Sequence, residues 1–121
     1  MSLFAATIAA VLAQSAPATV LDEPTMTDVA YTELSAGDAD GAVRKLEASI
    51  GDSTDPALLI NLGTAYARQG ATDKALAAFR AAVASPDRYD LELADGSWMD
   101  SREAARSALV RLQRINAQAA R

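Results

Sequence analysis

The segment Gly37-Asp38-Ala39-Asp40-Gly41 is the first place where residue type and spacing suggest chemistry, because paired carboxylates between glycines invite a calcium-loop reading. The spacing rejects it. With Asp38 as the first loop position, the sixth is Val43, where the sharp turn needs glycine. The twelfth is Ser49, where a bidentate glutamate is needed. The segment therefore predicts an interhelical turn, with Asp38 or Asp40 as the N-cap of the helix that follows. Ser53, Ser85, Ser97 and Ser101 have no histidine to activate them, since the chain contains none, and none sits in a nucleophile-elbow pattern. A Ser-Lys arrangement would need Lys45 or Lys74 beside a serine, and nothing in the sequence places either there. There is no cysteine, which excludes a thiol nucleophile, a disulfide scaffold and a thiolate metal site. The expectation is a protein without catalytic residues, cofactor or metal.

Charge gives two further leads. The net charge is −5, which argues against nucleic acid as a partner. The balance is uneven along the chain. Residues 22–100 carry 15 acids against 6 bases, and residues 101–121 carry five arginines against one glutamate. Arg102, Arg106, Arg111 and Arg114 could bind an acidic partner, an anionic lipid or nucleic acid, or could form a solvated face or pair with the acidic body of their own chain. Tyr89 and Trp98 could form a ligand-facing aromatic patch, or the packing face of a hairpin.

The elements that would position these groups are helical. Half of the residues are hydrophobic but only 5% are aromatic, and alanine, the best helix former, dominates the apolar share. Asp55-Pro56 is an N-cap followed by a first-turn proline. Leu59, Leu62 and Tyr66 recur at helical spacing, and Gly70 can take the left-handed geometry that closes a helix. Thr72 or Asp73 is expected to cap a second helix with Ala75, Leu76, Phe79, Ala82 and Val83 on its apolar face, ending at Pro86. A weaker copy lies upstream: Gly37, Ala42, Leu46 and Ser49 each stand 33 residues before Gly70, Ala75, Phe79 and Ala82. Its second helix, with Ala42, Val43, Leu46 and Ile50 on one face, is clear. Its first, over about 27–36, is degenerate and offers Tyr31 and Leu34 for burial.

Downstream, Tyr89, Leu91 and Leu93 alternate with Asp90, Glu92 and Ala94 ahead of Asp95-Gly96, which predicts a β-hairpin within 88–99. A two-residue turn would set Leu93 opposite Trp98, and the hairpin should lean on the helices through Tyr89, Leu91, Leu93 and Trp98. Asp100 and Glu103 form a capping box for a last helix over 101–118, with Ala105, Ala108, Leu109, Leu112 and Ile115 on one face. That face should cover the open edge of the second helix pair as a terminal cap.

Residues 55–87 closely resemble the tetratricopeptide repeat. Leu62, Gly63, Tyr66, Gly70, Ala75, Phe79 and Ala82 stand at its pattern positions, Leu59 replaces its tryptophan, and Pro86 falls one place ahead of its closing proline. The chain as a whole resembles small exported bacterial proteins of that family. The resemblance implies an all-α fold of antiparallel helix pairs (27–50 and 56–84) stacked in a right-handed superhelix. It assigns packing roles to Gly63 and Ala75, which permit close helix approach, and to Tyr66 and Phe79, which fill space. It also implies a protein-interaction role, with a peptide or partner protein held in a groove lined by Ile60, Asn61, Thr64, Ala67 and Arg68, to which the degenerate pair would offer Tyr31 and Leu34. The family's carboxylate clamp draws on several Lys, Arg and Asn residues across three repeats. Only Asn61 and Arg68 are available, so a chaperone C-terminus is not the expected ligand. The alternative function is a self-assembling scaffold of the cell envelope, since two short pairs bury little and a homo-oligomer would supply missing core.

Residues 1–21 contain no ionisable side chain, and Leu3–Ala13 is an apolar run followed by small residues. That pattern predicts a signal peptide over 1–18, cut after Ala13, Ser15 or Ala18, although its start carries no Lys or Arg. The run is too short for an integral membrane span, which needs about 20 apolar residues. Export to the periplasm is the expectation, with the cytoplasm as the alternative. Residues 19–26 read as a polar, proline-containing linker ahead of a folded domain over 27–121.

Overall fold

Glycine and aspartate punctuation cuts the chain into helices where the computed structural model has them. The structure describes residues 29–93 and 95–120. The signal-peptide and linker segments lie outside the described residues. Among the described residues five helices and one hairpin follow in chain order: α1 (Tyr31–Ser35), α2 (Ala39–Ile50), α3 (Pro56–Arg68), α4 (Thr72–Ala84), β1 (Asp90–Glu92), β2 (Trp98–Asp100) and α5 (Ser101–Ala119).

The two interhelical turns are built alike. After α1, Gly37 N–H donates to Leu34 O at 3.2 Å and Asp38 N–H to Glu33 O at 2.8 Å. After α3, Gly70 N–H donates to Ala67 O at 3.0 Å and Ala71 N–H to Tyr66 O at 2.9 Å. Both are Schellman closures, which satisfy carbonyls that a helix end otherwise leaves unpaired. Both need a residue with positive φ, and Gly37 (79°) and Gly70 (82°) supply it. The 33-residue offset in the sequence is thus an offset between equivalent turns. Asp38 caps α2, its Oδ1 accepting from Gly41 N–H at 2.8 Å. The Gly37–Gly41 segment is a helix entrance.

Three expectations about boundaries are corrected. Of the helix expected over about 27–36, the described residues form only Tyr31–Ser35, because Ala30 takes φ 60° and ψ 39°, a left-handed conformation that a right-handed helix cannot include. Neither Thr72 nor Asp73 caps α4. The tight closure at Gly70 places Ala71 at the cap position without a side-chain bond, and Thr72 is already helical. At α5 only half of the capping box forms. Asp100 accepts from Arg102 N–H and Glu103 N–H, both at 3.1 Å, while the Glu103 carboxylate turns to Arg106.

α3 is the centre of the structure and packs against α2, α4 and α5. Pro56, Ala57, Leu58, Ile60, Asn61, Leu62, Gly63 and Ala65 are all buried, so α3 is enclosed on nearly every side. Opposite it, α4 buries Ala75, Ala78, Phe79 and Ala82, and α2 buries Ala42, Val43 and Leu46. Ser49 lies exposed, and its hydroxyl donates to Lys45 O within its own helix, so the upstream copy matches α4 at three of the four spaced positions.

The hairpin forms, in a different register from the one expected. Glu92 pairs with Trp98 and Leu91 with Met99, and Leu93 N–H donates to Ser97 O at 2.7 Å. Leu93 therefore closes the hairpin against Ser97 and not against Trp98, with Gly96 at φ 86°. A slip of one residue sends a side chain to the other face. Tyr89, Leu91, Leu93 and Met99 face the helices, and Leu91 is fully buried. Trp98 stands with Glu92 on the outer face, 58% exposed. The expected packing of Leu93 against Trp98 does not occur.

Candidate functional site

A groove runs along α3, with α5 as its second wall. Ile60, Thr64, Ala67 and Arg68 line it from α3. Ile60 is almost fully buried, and the Thr64 hydroxyl is turned back to Ile60 O at 2.9 Å. That back-bond leaves the Thr64 methyl as the apolar end of the side chain. Phe79 of α4 and Leu93 and Met99 of the hairpin add further apolar surface. Ala104, Ser107, Ala108, Arg111, Leu112 and Ile115 complete the opposite wall from α5. The enclosed volume is ≈ 350 Å3, at the small end of the range of about 300–1,000 Å3 typical of ligand sites.

One residue assigned to this groove is elsewhere. Asn61 is fully buried, and its Nδ2 donates to Val29 O at 3.0 Å. It joins α3 to the segment that enters α1. Arg68 does line the groove, and it also fixes the first helix pair: its Nη1 donates to Leu34 O at 2.9 Å, one of the last carbonyls of α1. Favourable charge at a helix C-terminus accompanies that bond. Tyr31 is half-buried and Leu34 is buried, so the degenerate pair contributes core here.

The hairpin and α5 are held in place by a polar clasp at the start of α3. Asp55 caps α3 through Ala57 N–H at 3.1 Å and also accepts from the Tyr89 hydroxyl. Burial, then the hydrogen bond and the negative charge of Asp55, push the Tyr89 phenol well above its ordinary pKa. The Ser85 hydroxyl donates to Thr54 O at 2.5 Å, and the Arg102 Nη2 donates to Ser85 O at 3.0 Å. Ser101 N–H donates to Tyr89 O at 2.8 Å, and Ser101 Oγ accepts from Tyr89 N–H at 3.1 Å. Ser53 Oγ accepts from Asp55 N–H, and Ser97 Oγ donates to Asp95. All four serines weighed as nucleophiles are thus occupied in turns and caps. A second tie joins the helix pairs through Tyr66, whose hydroxyl donates to Glu47. Burial, then that bond and the Glu47 charge, push its pKa up to about 12. Lys74 Nζ lies 5.6 Å from the centre of the same ring.

The arginines of α5 do not act as a row. Arg102 is turned inward to Ser85 O, and Arg106 pairs with Glu103 at 3.4 Å. Arg111 lines the groove and has no hydrogen-bond or ion-pair partner among the described residues. Trp98 and Tyr89 lie on opposite faces of the hairpin and form no common aromatic patch. Spacing along α5 puts Ala108, Leu112 and Ile115 on the face that covers the second pair, and so does not mark a groove wall. The available signal was the second stripe Ala104, Ala108, Arg111 and Ile115, spaced four, three and four residues apart, which faces a different neighbour.

Among the described residues no group of three or more His, Cys, Asp or Glu could hold a metal ion, and no helix is long and apolar enough to cross a membrane. Comparison with protein-family models, curated proteins and solved structures returns no match.

Proposed function

We propose that the chain is a small interaction module of tetratricopeptide type, binding a peptide segment of a partner protein in the groove between α3 and α5. The observation that carries this reading is the groove itself. It is a concave, mainly apolar cavity of ≈ 350 Å3 along the helix face that carries Ile60, Thr64, Ala67 and Arg68. Further support comes from two helix pairs closed by equivalent glycine turns 33 residues apart, and from the packing of Phe79 over Gly63. A cavity of this size accepts a few side chains of an extended or helical segment, with the partner's backbone left at the mouth.

The test is a selection from a library of random short peptides displayed on phage, with the full chain as bait. Peptides recovered on the wild type should lose binding to Ala108→Trp, which fills the groove, and to Ser107→Trp, which obstructs its rim, while the helical circular dichroism of both is unchanged. Equal binding to both variants would reject the groove. The alternative of self-assembly is separated by sedimentation, where a monomer at high concentration removes it.

Export belongs to the same proposal. It is supported by the apolar, uncharged Leu3–Ala13 run and the small residues after it. Mass spectrometry of the native protein should find an N-terminus after Ala13, Ser15 or Ala18, and intact Met1 would reject export.

A further inference from the structure

Resting on the groove reading above, we infer that the partner segment is acidic: apolar side chains seat between α3 and α5, and an adjacent Asp or Glu carboxylate is held by the Arg111 guanidinium. The charge of the groove is opposite to that of the molecule. The chain carries −5, yet among the described residues the groove is lined by two arginines, Arg68 and Arg111, and by no acid. Arg111 lies between the groove residues Ala108 and Leu112 on α5. An arginine at such a position can lay its aliphatic stem on apolar wall and keep its charged head in water. It is exposed and makes no hydrogen bond or ion pair among the described residues. A planar guanidinium offers a carboxylate two parallel hydrogen bonds. The apolar wall beside it lowers the local dielectric and strengthens that pairing relative to open water. Arg68 adds positive charge to the same cavity.

The same observations favour a protein acid over a polyanion. A membrane surface or a nucleic acid needs several cations presented together. Here Arg102 is engaged at Ser85 O and Arg106 at Glu103, and the body of the chain is acidic. Arg114 is exposed as well but does not line the groove, so Arg111 is the one guanidinium without a partner among the described residues that stands beside the apolar cleft, which matches a single carboxylate next to apolar side chains.

The peptides recovered by the selection above test this directly. Their sequences should combine apolar residues with a neighbouring Asp or Glu. The strongest binder is then synthesised with its acids intact and with each converted to the amide, and both are titrated onto the full chain by fluorescence anisotropy. The amide form should bind about tenfold more weakly, the scale of one charge-assisted hydrogen bond. Arg111→Gln should weaken the acidic form by the same factor, leave the amide form unchanged, and flatten the dependence on salt. Enrichment of neutral or basic peptides, equal affinity of the two forms, or indifference to Arg111→Gln would overturn the acidic specificity. Continued sensitivity to Ala108→Trp in those cases would leave the groove reading standing. Recovery of no peptide would overturn both.

Discussion

The ring of Phe79 lies so close over Gly63 that a Cβ at Gly63 would stand 2.5 Å from its Cε1 and 2.6 Å from its Cδ1. Glycine at this position is required by the neighbouring helix, since α3 is regular there and alanine would be the better helix former by about 1 kcal/mol. Phe79 is buried, so its ring has little room to retreat. Overpacking of this kind costs about 1–3 kcal/mol. Gly63→Ala is therefore expected to lower the urea midpoint, with a net loss of up to about 2 kcal/mol after the propensity gain. Phe79→Leu should lose stability alone, yet the double variant should lose less than the two single losses combined. Strict additivity would show that the ring had moved at no expense.

Tyr89 and Asp55 link the hairpin to the start of α3, and that link makes stability depend on pH at the alkaline end. The Tyr89 phenol has a raised pKa in the folded state, chiefly through burial. In the unfolded chain a tyrosine ionises near pH 10. Below that value both states hold the proton and the contribution is complete. Above it the unfolded state releases its proton first, so stability falls as pH rises. Tyr66, raised to about 12, acts in the same direction. In a Tyr31→Phe background, phenolate absorbance and the loss of helical circular dichroism should thus share a midpoint above pH 10. Tyr89→Phe should flatten the alkaline limb and cost about 1 kcal/mol at neutral pH, the worth of one hydrogen bond. Ionisation near pH 10 with the helix signal intact would contradict this.

The sequence was most legible where a backbone geometry admits few residue types. Asp55-Pro56 and Gly70 mark the ends of α3, and Gly63 and Ala75 mark its close contact with α4, because each feature has a local steric cause. The hairpin's existence was legible in its alternation, but its register was not. Asp95-Gly96 serves a two-residue turn or part of a longer one, and the difference lies in whether Leu93 meets Trp98 or Ser97. Asn61 misled for another reason. Its helix is enclosed on nearly every side, so no polar face marks which direction is outward. The second wall of the groove was hidden because α5 serves two neighbours with one helix, and spacing along it does not say which stripe meets which.

The register of the hairpin has a measurable consequence at the only tryptophan of the chain. Trp98 is on the outer face and Leu91 is fully buried on the inner one. Trp98 emission should be solvent-like and readily quenched by acrylamide in the folded protein. Trp98→Ala should change stability by no more than about 0.5 kcal/mol, as for most surface substitutions. Leu91→Ala should cost about 2–4 kcal/mol, through lost burial and the cavity left behind. A blue-shifted, protected tryptophan would restore the register with Leu93 opposite Trp98.

Asn61 separates the support of the groove from its lining. Its Nδ2 donates to Val29 O, and its buried Oδ1 has no hydrogen-bond partner among the described residues. Asn61→Ala leaves the Val29 carbonyl without its donor in a dry setting, at a cost of about 1–3 kcal/mol. Asn61→Asp is the sharper variant. At neutral pH it places a carboxylate where no cation pairs with it and sets two acceptors against each other, so it should be less stable than Asn61→Ala. Burial disfavours the charged form and raises the folded-state pKa of the new acid above its unfolded value of about 4. The unfolded state then releases the proton first as pH rises, so the variant should gain stability on acidification, when a protonated carboxyl can donate to Val29 O. Denaturant midpoints across the acid range measure this, and a flat profile would mean that the side chain had turned to solvent. Conditions in which the Asn61→Ala chain is fully folded should leave peptide affinity unchanged, because the residue does not line the groove. A selective loss of affinity there would return Asn61 to the binding surface.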